Sequence, residues 1–239
     1  MSASPYAELI AGEWLRRVSA EYTSAARTHV FTHWLIQLGA SPDLIRAGLR
    51  IVDDELAHAE LSAAVVAEAA GEARAPALSQ EGLDLARRSP DLLSDVIAEC
   101  LEIFCMGETV AVPLFSEMRK GCDVAVARAA LDRILLDEVR HRDFGWTTLE
   151  WLLQLDEVRV HAEVQAQLLR AFRLVRRHYA GVDSVERDEA KARELHRWGL
   201  IPGERYSEIL ERCAQRDYLP RLSKLGWEAE GAWREAAQG

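Results

Sequence analysis

Apolar residues recur along this chain at intervals of three and four, the spacing that places side chains on one face of an α-helix. Alanine, leucine, glutamate and arginine, which favour helices, are frequent, and clusters of turn-forming residues are few. We find no stretch with the strict alternation of apolar and polar residues that is typical of a half-buried strand. The pattern therefore predicts an all-α protein.

Glycine and proline mark the ends of the predicted helices. Pro5 suits the first turn of a helix, and Gly39 suits a helix end. Ser41 followed by Pro42 is a typical helix start, because the serine side chain can cap the free N–H groups and proline needs no donor there. The first four long helices are expected at about 5–38, 42–70, 89–120 and 123–155.

Residues 72–89 separate the first pair of predicted helices from the second. They contain Pro76 and Gly82 and show weak periodicity, which indicates a long crossover with room for a short helix. Two helical hairpins joined by a long crossover are the layout of a ferritin-like four-helix bundle, which we expect over residues 1–155. Residues 156–239 are expected to form a helical C-terminal extension that packs on the bundle or at a dimer interface. Its helices are predicted at about 158–180, 184–198 and 204–216.

The composition narrows the classes of partner. The chain has 29 basic and 39 acidic residues and a formal net charge of −10, with no long basic stripe, so nucleic acid is not an expected partner. No signal peptide or membrane span is evident, and we expect a cytoplasmic protein without a membrane partner. None of the four cysteines belongs to a C-x-x-C pair, which argues against a zinc ribbon. They are Cys100, Cys105, Cys122 and Cys213.

The pattern Asp-Glu-x-x-His occurs twice, with Glu55 and His58 in the second predicted helix and Glu138 and His141 in the fourth. Residues three apart in a helix lie on neighbouring parts of one face, so each pair can present a carboxylate and an imidazole to one ion. A single pair is common on helix surfaces, but both of these pairs fall among apolar positions. Because buried charges are costly unless they are paired or bound to metal, we expect both pairs to bind metal.

The other two long helices each offer a glutamate on the apolar side. In the first, Glu21 lies in line with Trp14 and other apolar positions. In the third, Glu108 lies within the apolar stripe, whereas Glu99 and Glu102 lie outside it, and a solvated position or one behind the ligands is expected for both. Glu108 is the expected ligand, with Glu102 as the alternative.

Four segments together resemble the ferritin-like superfamily of di-iron carboxylate proteins, and more narrowly a bacterial group of ferritin-like-domain proteins. They are residues 21–24 (EYTS), 54–59 (DELAHA), 105–109 (CMGET) and 137–141 (DEVRH). The resemblance covers about residues 8–155 and implies a dinuclear metal site. By this resemblance the metal ligands, through which catalysis would run, are Glu21, Glu55, His58, Glu108, Glu138 and His141.

Two departures narrow the implied activity. Ile134 stands where arylamine N-oxygenases have a further histidine, and the absence of a C-x-x-C module argues against a rubrerythrin-type peroxidase.

Imidazole with carboxylate ligands suits iron or manganese, so two Fe ions are expected, with Mn/Fe or Mn pairs as alternatives.

The expected function is a di-iron carboxylate oxidase or oxygenase that uses O2 and an electron donor to oxidise a small organic substrate. The alternatives are a ferroxidase or iron-binding protein with Fe(II) as its substrate, and a ferritin-like scaffold without catalysis. A homodimer is one expected assembly, because the C-terminal extension either packs on the bundle or forms a dimer surface.

Other polar residues have two interpretations each. Asp54 and Asp137 directly precede ligand glutamates and are either acceptors for histidine N–H groups or ordinary exposed acids. Cys105 and Tyr22 are expected to be core residues. A basic strip on the fifth predicted helix is expected to pair with the chain's own glutamates or with a second subunit. This strip consists of Arg170, Arg173, Arg176 and Arg177.

Overall fold

The structure, a computed structural model, describes residues 4–179 and 188–238, except for the side chains of residues 81 and 82. Within these residues it contains helices and no strands, which confirms the all-α prediction. The α-helices are, in chain order, α1 (Ala7–Gln37), α2 (Pro42–Ala70), α3 (Gln80–Leu83), α4 (Leu92–Glu99), α5 (Glu108–Lys120), α6 (Ala125–Leu155), α7 (Glu157–Tyr179), α8 (Glu189–Arg197), α9 (Gly203–Cys213), α10 (Leu219–Lys224) and α11 (Glu230–Ala236). Two π-helical segments, π1 (Cys100–Gly107) and π2 (Ala214–Tyr218), continue α4 and α9.

The chain forms two compact units. Unit 1 comprises Met1–Ala86, Phe115–Asp137 and Val185–Ile201. Unit 2 comprises Arg87–Leu114, Glu138–Ser184 and Pro202–Gly239. Helices α5 and α6 therefore contribute residues to both units, and the predicted domain boundary near residue 155 stays a prediction.

Unit 1 is built around the hairpin of α1 and α2, whose turn follows the sequence signals. Gly39 has a φ of 77°, which only glycine adopts without strain, and the Ser41 hydroxyl accepts a hydrogen bond from the Leu44 N–H at 3.3 Å. Gly48 lies against Thr32, where any Cβ atom would overlap the threonine side chain. This close approach of the two helices holds their facing residues in a fixed register.

Unit 2 has an aromatic core that ties the C-terminal helices to π1. The Tyr218 hydroxyl donates a hydrogen bond to the Met106 carbonyl at 2.6 Å. The ring of Phe172 lies 5.1 Å from that of Trp233, edge to face, and both residues are buried. Helix α7 also contacts α4 and π1, so the C-terminal residues of this unit pack on the segment that carries Glu102.

The π-helical segment π1 corrects one sequence prediction. Glu99 and Glu102 were expected outside the apolar stripe, yet they are 1% and 3% exposed, and Glu108 is 8% exposed. Hydrogen bonds in a π-helix run from residue i to i+5, so the α-helical phase is lost between residues 100 and 107. A face assigned by the 3.6-residue period on one side of π1 does not continue on the other.

The predicted helices of the extension correspond to α7, α8 and α9, while α10 and α11 had no counterpart in the prediction. Ala180, at the end of one predicted helix, and residues 184–187, at the start of the next, lie outside the described residues. Along the part of the chain that the structure describes, no helix combines the length and the apolar character needed to cross a membrane.

Candidate metal centre

Unit 1 brings together three of the predicted ligands. Glu21 comes from α1, and Glu55 and His58 come from α2, and one ligand atom from each lies within 4.8 Å of the other two. His58 Nδ1 lies 3.6 Å from Glu55 Oε2. Two atoms that bind one ion at about 2.1 Å lie roughly 3–4 Å apart, so the set suits a single cation after small movements.

The electrostatics of this set also suit a cation. Burial, followed by the negative charge of Glu55 and a hydrogen bond between the two carboxyl groups, raises the pKa of Glu21 well above its usual range. Two buried carboxylates therefore oppose each other's ionisation. A metal ion between them would favour the ionised form of both, so these residues fit the metal that the sequence predicts.

Asp54 and Asp137 are both buried beside the unit 1 set, so of their two interpretations the one as exposed acids is wrong. Asp137 Oδ2 lies 3.1 Å from His58 Nε2, and both side chains are fully buried. Arg133 donates hydrogen bonds to Asp137 Oδ2 at 2.5 Å and to Asp54 Oδ1 at 3.2 Å. One guanidinium group thus joins the two aspartates, and it stabilises the carboxylate that contacts the histidine.

Sequence reasoning missed two residues of this arrangement. The Ser24 hydroxyl donates a hydrogen bond to Glu55 Oε1 at 2.9 Å. Ser24 follows Glu21 by three residues, so helical spacing alone would have placed it on the same face. Arg133 precedes Asp137 by one helical turn, a common spacing for an ion pair, but its second bond to Asp54 has no local signal.

Unit 2 contains a second set of the same composition. His141 Nδ1 lies 3.8 Å from Glu138 Oε2, its neighbour on α6, and 3.9 Å from Glu108 Oε2 at the start of α5. All three side chains are buried. The unit 2 set therefore repeats the two carboxylates and one imidazole of the unit 1 set.

Glu102, the alternative ligand, faces arginines. Its Oε2 accepts a hydrogen bond from Arg88 Nη1 at 2.7 Å, and its Oε1 lies 3.2 Å from Arg170 Nε. Arg88 also donates a hydrogen bond to Glu99 Oε2 at 3.1 Å. Each oxygen of Glu102 thus lies near a guanidinium group, whereas Glu108 lies beside a histidine.

The remaining candidates divide. Cys105 is fully buried, and burial together with a hydrogen bond that its thiol donates to Cys100 raises the pKa of this thiol, as expected for a core residue. Tyr22 is 38% exposed, so the core position predicted for it is wrong.

The basic strip pairs with the chain's own glutamates, as predicted. Its ion pairs are Arg170–Glu102, Arg173–Glu235 and Arg176–Glu211.

Comparisons with known proteins extend the fold assignment. No family model matches the sequence, and no curated protein matches it. The structure is similar to that of "Protein 19 with aldehyde deformylating oxidase activity from Synechococcus", with a TM-score of 0.52 and 20% sequence identity. The match covers 96% of this chain and 99% of that chain. At this identity the similarity shows the fold, which is all-helical and ferritin-like, as the sequence predicts.

Proposed function

We propose that this protein is an oxidase or oxygenase that binds two iron ions and uses O2 to oxidise a small organic substrate. The observation that carries the proposal is the presence, in each compact unit, of one buried set of two glutamates and one histidine. These sets are Glu21, Glu55 and His58 in unit 1, and Glu108, Glu138 and His141 in unit 2.

The donor types support iron. Each set offers carboxylate oxygens and one imidazole nitrogen, a combination that suits iron or manganese, and no thiolate belongs to either set. The four carboxylates together carry four negative charges, which balance two divalent cations. When bound, two ferrous ions would supply two electrons to O2, and the organic substrate and the electron donor would supply the others that its full reduction requires. The similarity in fold to a protein with oxidase activity supports the same class of chemistry.

Residues of this chain would orient the ligands of the ions and limit the access of water to them. Asp137 accepts a hydrogen bond from Nε2 of His58, which leaves Nδ1 for a metal. The Ser24 hydroxyl donates a hydrogen bond to Oε1 of Glu55 and so holds this carboxylate in place. Burial of all six ligands limits the access of water. The sequence-based expectation that both ions share one dinuclear centre is testable by Mössbauer spectroscopy of the oxidised protein, because coupled ferric ions give a diamagnetic pair.

The test is an anaerobic Fe(II) titration, followed by exposure to O2 with a chemical reductant present. We expect two irons per chain and iron-dependent O2 consumption. Glu138→Ala and His141→Ala should each bind about one iron fewer. The matched controls are Glu150→Ala, an exposed glutamate of α6, and His29→Ala, an exposed histidine of α1, and both should bind two irons.

Three outcomes would contradict parts of the proposal. Failure of the wild-type chain to bind iron or manganese would overturn the metal assignment. Two irons in both Glu138→Ala and His141→Ala would overturn the ligand assignment. Continued oxidation of Fe(II) far beyond two ions per chain, with no organic substrate consumed, would instead identify a ferroxidase.

A further inference from the structure

A cavity of about 480 Å³ lies in unit 2 among helices α7, α9 and α11. Small-molecule binding sites typically have volumes of roughly 300–1,000 Å³, so this one is large enough for a metabolite. Among the described residues, the lining includes none of the six candidate metal ligands. The cavity therefore has its own surface chemistry.

The lining is positively charged, although the whole chain has a formal net charge of −10. It includes Arg173, Arg176 and Arg177 from α7, and Glu211 is the one acidic residue that the described part of the chain contributes. Arg173 pairs with Glu235 and Arg176 pairs with Glu211, so the guanidinium group of Arg177 leaves an excess of positive charge at the cavity. Guanidinium groups bind carboxylates through paired hydrogen bonds, so the cavity favours an anion.

Arg176 is the most firmly held of the three arginines. Its Nη1 lies 2.5 Å from Glu211 Oε1, and its guanidinium carbon lies 3.7 Å from the centre of the Trp233 ring. Its Nε is buried and has no hydrogen-bond partner among the described residues. A buried donor without an acceptor costs free energy.

The remaining lining is apolar or neutral. Leu210, Ala236 and Ala237 offer apolar surface, and Ser207 offers a hydroxyl. Such a wall suits the hydrocarbon part of a ligand whose charged end meets the arginines. The combination describes an amphipathic organic acid better than an inorganic anion.

Tyr179 connects the cavity with the unit 2 set. It lines the cavity, and burial, followed by the negative charges of Glu108 and Glu138, raises the pKa of its phenol. The phenol is thus close enough to these two carboxylates to sense their charge.

We propose that this cavity binds the carboxylate group of an organic acid through Arg173, Arg176 and Arg177, with the apolar part of the acid against Leu210 and Ala236. Binding of the acid needs no metal. We also infer that organic acids are the substrate class of the oxidase. This second inference rests on the proposed function, and O2 uptake tests it separately from binding.

The experiment is isothermal titration of the full chain with octanoate, with metal-free protein and with protein loaded anaerobically with Fe(II). Octan-1-ol and octylamine serve as the neutral and cationic comparators. We expect octanoate to bind most tightly, and Arg177→Gln, alone and with Arg173→Gln, to weaken its binding by about 10-fold or more. Arg50→Gln, an exposed arginine of α2, is the control and should not change the affinity.

Circular dichroism would show that each variant is folded before its affinity is compared. Equal affinity for octan-1-ol, unchanged affinity in both arginine variants, or no binding of octanoate would each overturn the proposal. Arginine-dependent octanoate binding in a chain that binds no iron would keep the cavity assignment and overturn the proposed function. Two irons per chain without octanoate binding would do the reverse, and octanoate-stimulated O2 uptake would support both.

Discussion

His58 Nε2 lies 3.1 Å from Asp137 Oδ2, and neither side chain is exposed. A carboxylate acceptor at Nε2 favours the tautomer with its proton there, and this leaves the lone pair of Nδ1 on the side of Glu55. The aspartate therefore orients the histidine so that Nδ1 would be available to the metal proposed above.

Asp137→Asn should weaken Fe(II) binding at the unit 1 set by about 10- to 100-fold, because the amide is a poorer acceptor and no longer raises the basicity of the imidazole. Competition with a chelator under anaerobic conditions would measure the affinity. The control is Asp143→Asn, an exposed aspartate of the same helix, which should bind iron like the wild type. Equal affinities of all three proteins would show that the contact has no role in metal binding.

Glu102 and Glu108 should respond differently to conversion to glutamine. Glu108→Gln should lower the iron stoichiometry with little loss of stability, because its carboxylate lies beside His141. Glu102→Gln should keep two irons but lower the free energy of unfolding by about 1–3 kcal/mol, since it weakens the ion pairs with Arg88 and Arg170, which are partly exposed. Iron titration and urea unfolding of both variants would decide. The reverse pattern would make Glu102 the ligand.

Local signals in the sequence sufficed for much of the architecture. Ser41 and Gly39 lie at the helix ends that their chemistry predicts. Glu55 and His58 are buried as expected, because the apolar positions around them keep a regular 3.6-residue period along α2. Where one period extends unbroken through a helix, sequence alone assigns its faces.

The sequence-based predictions failed where the 3.6-residue period breaks, or where contacts with residues distant in the sequence determine the burial of a side chain. Glu102 lies within π1, whose extra hydrogen-bond step shifts the faces, and its burial depends on Arg88 in the crossover and Arg170 on α7. Neither partner has a helical spacing to Glu102 that a sequence pattern could reveal. The joint contact of Arg133 with Asp54 and Asp137 likewise depends on tertiary structure.

We expect the buried thiol of Cys122 to lower the free energy of unfolding as the pH becomes alkaline. Burial raises the pKa of its thiol from 9.0 to about 11. Because the folded pKa is higher than the unfolded one, the native state holds a proton that the unfolded state has lost, and the free energy of unfolding falls as pH rises from about 9 to about 11. Cys122→Ala should lose less stability over this range, as measured by urea unfolding.

The comparison depends on the slope against pH, since removal of the buried sulfur also lowers the stability at every pH. Below pH 8 the thiol is protonated in both states, so the difference between Cys122→Ala and the wild type should be constant there. Parallel curves from pH 8 to pH 11 would show that Cys122 does not titrate differently in the folded protein.

Gly145 fixes how closely α6 approaches π1 within unit 2. A Cβ atom at this position would overlap the backbone carbonyl of Phe104, which cannot move aside as a flexible side chain could. Gly145→Ala should therefore lower the free energy of unfolding by about 1–3 kcal/mol, despite the better helix propensity of alanine. Gly12→Ala in α1 is the matched control, because among the described residues no atom outside its own helix lies within 4 Å of the added Cβ.

The control should be neutral or stabilised by up to about 1 kcal/mol, since alanine restricts the unfolded chain and fits the helix. Urea unfolding of the two variants measures both effects against the wild type. Because α6 also carries Glu138 and His141, displacement of this helix by the new methyl group should weaken iron binding in Gly145→Ala but not in Gly12→Ala. Equal stability and equal iron affinity of the two variants would mean that α6 and π1 can separate at little cost. In that case the contact between Gly145 and Phe104 would not determine the position of the unit 2 set.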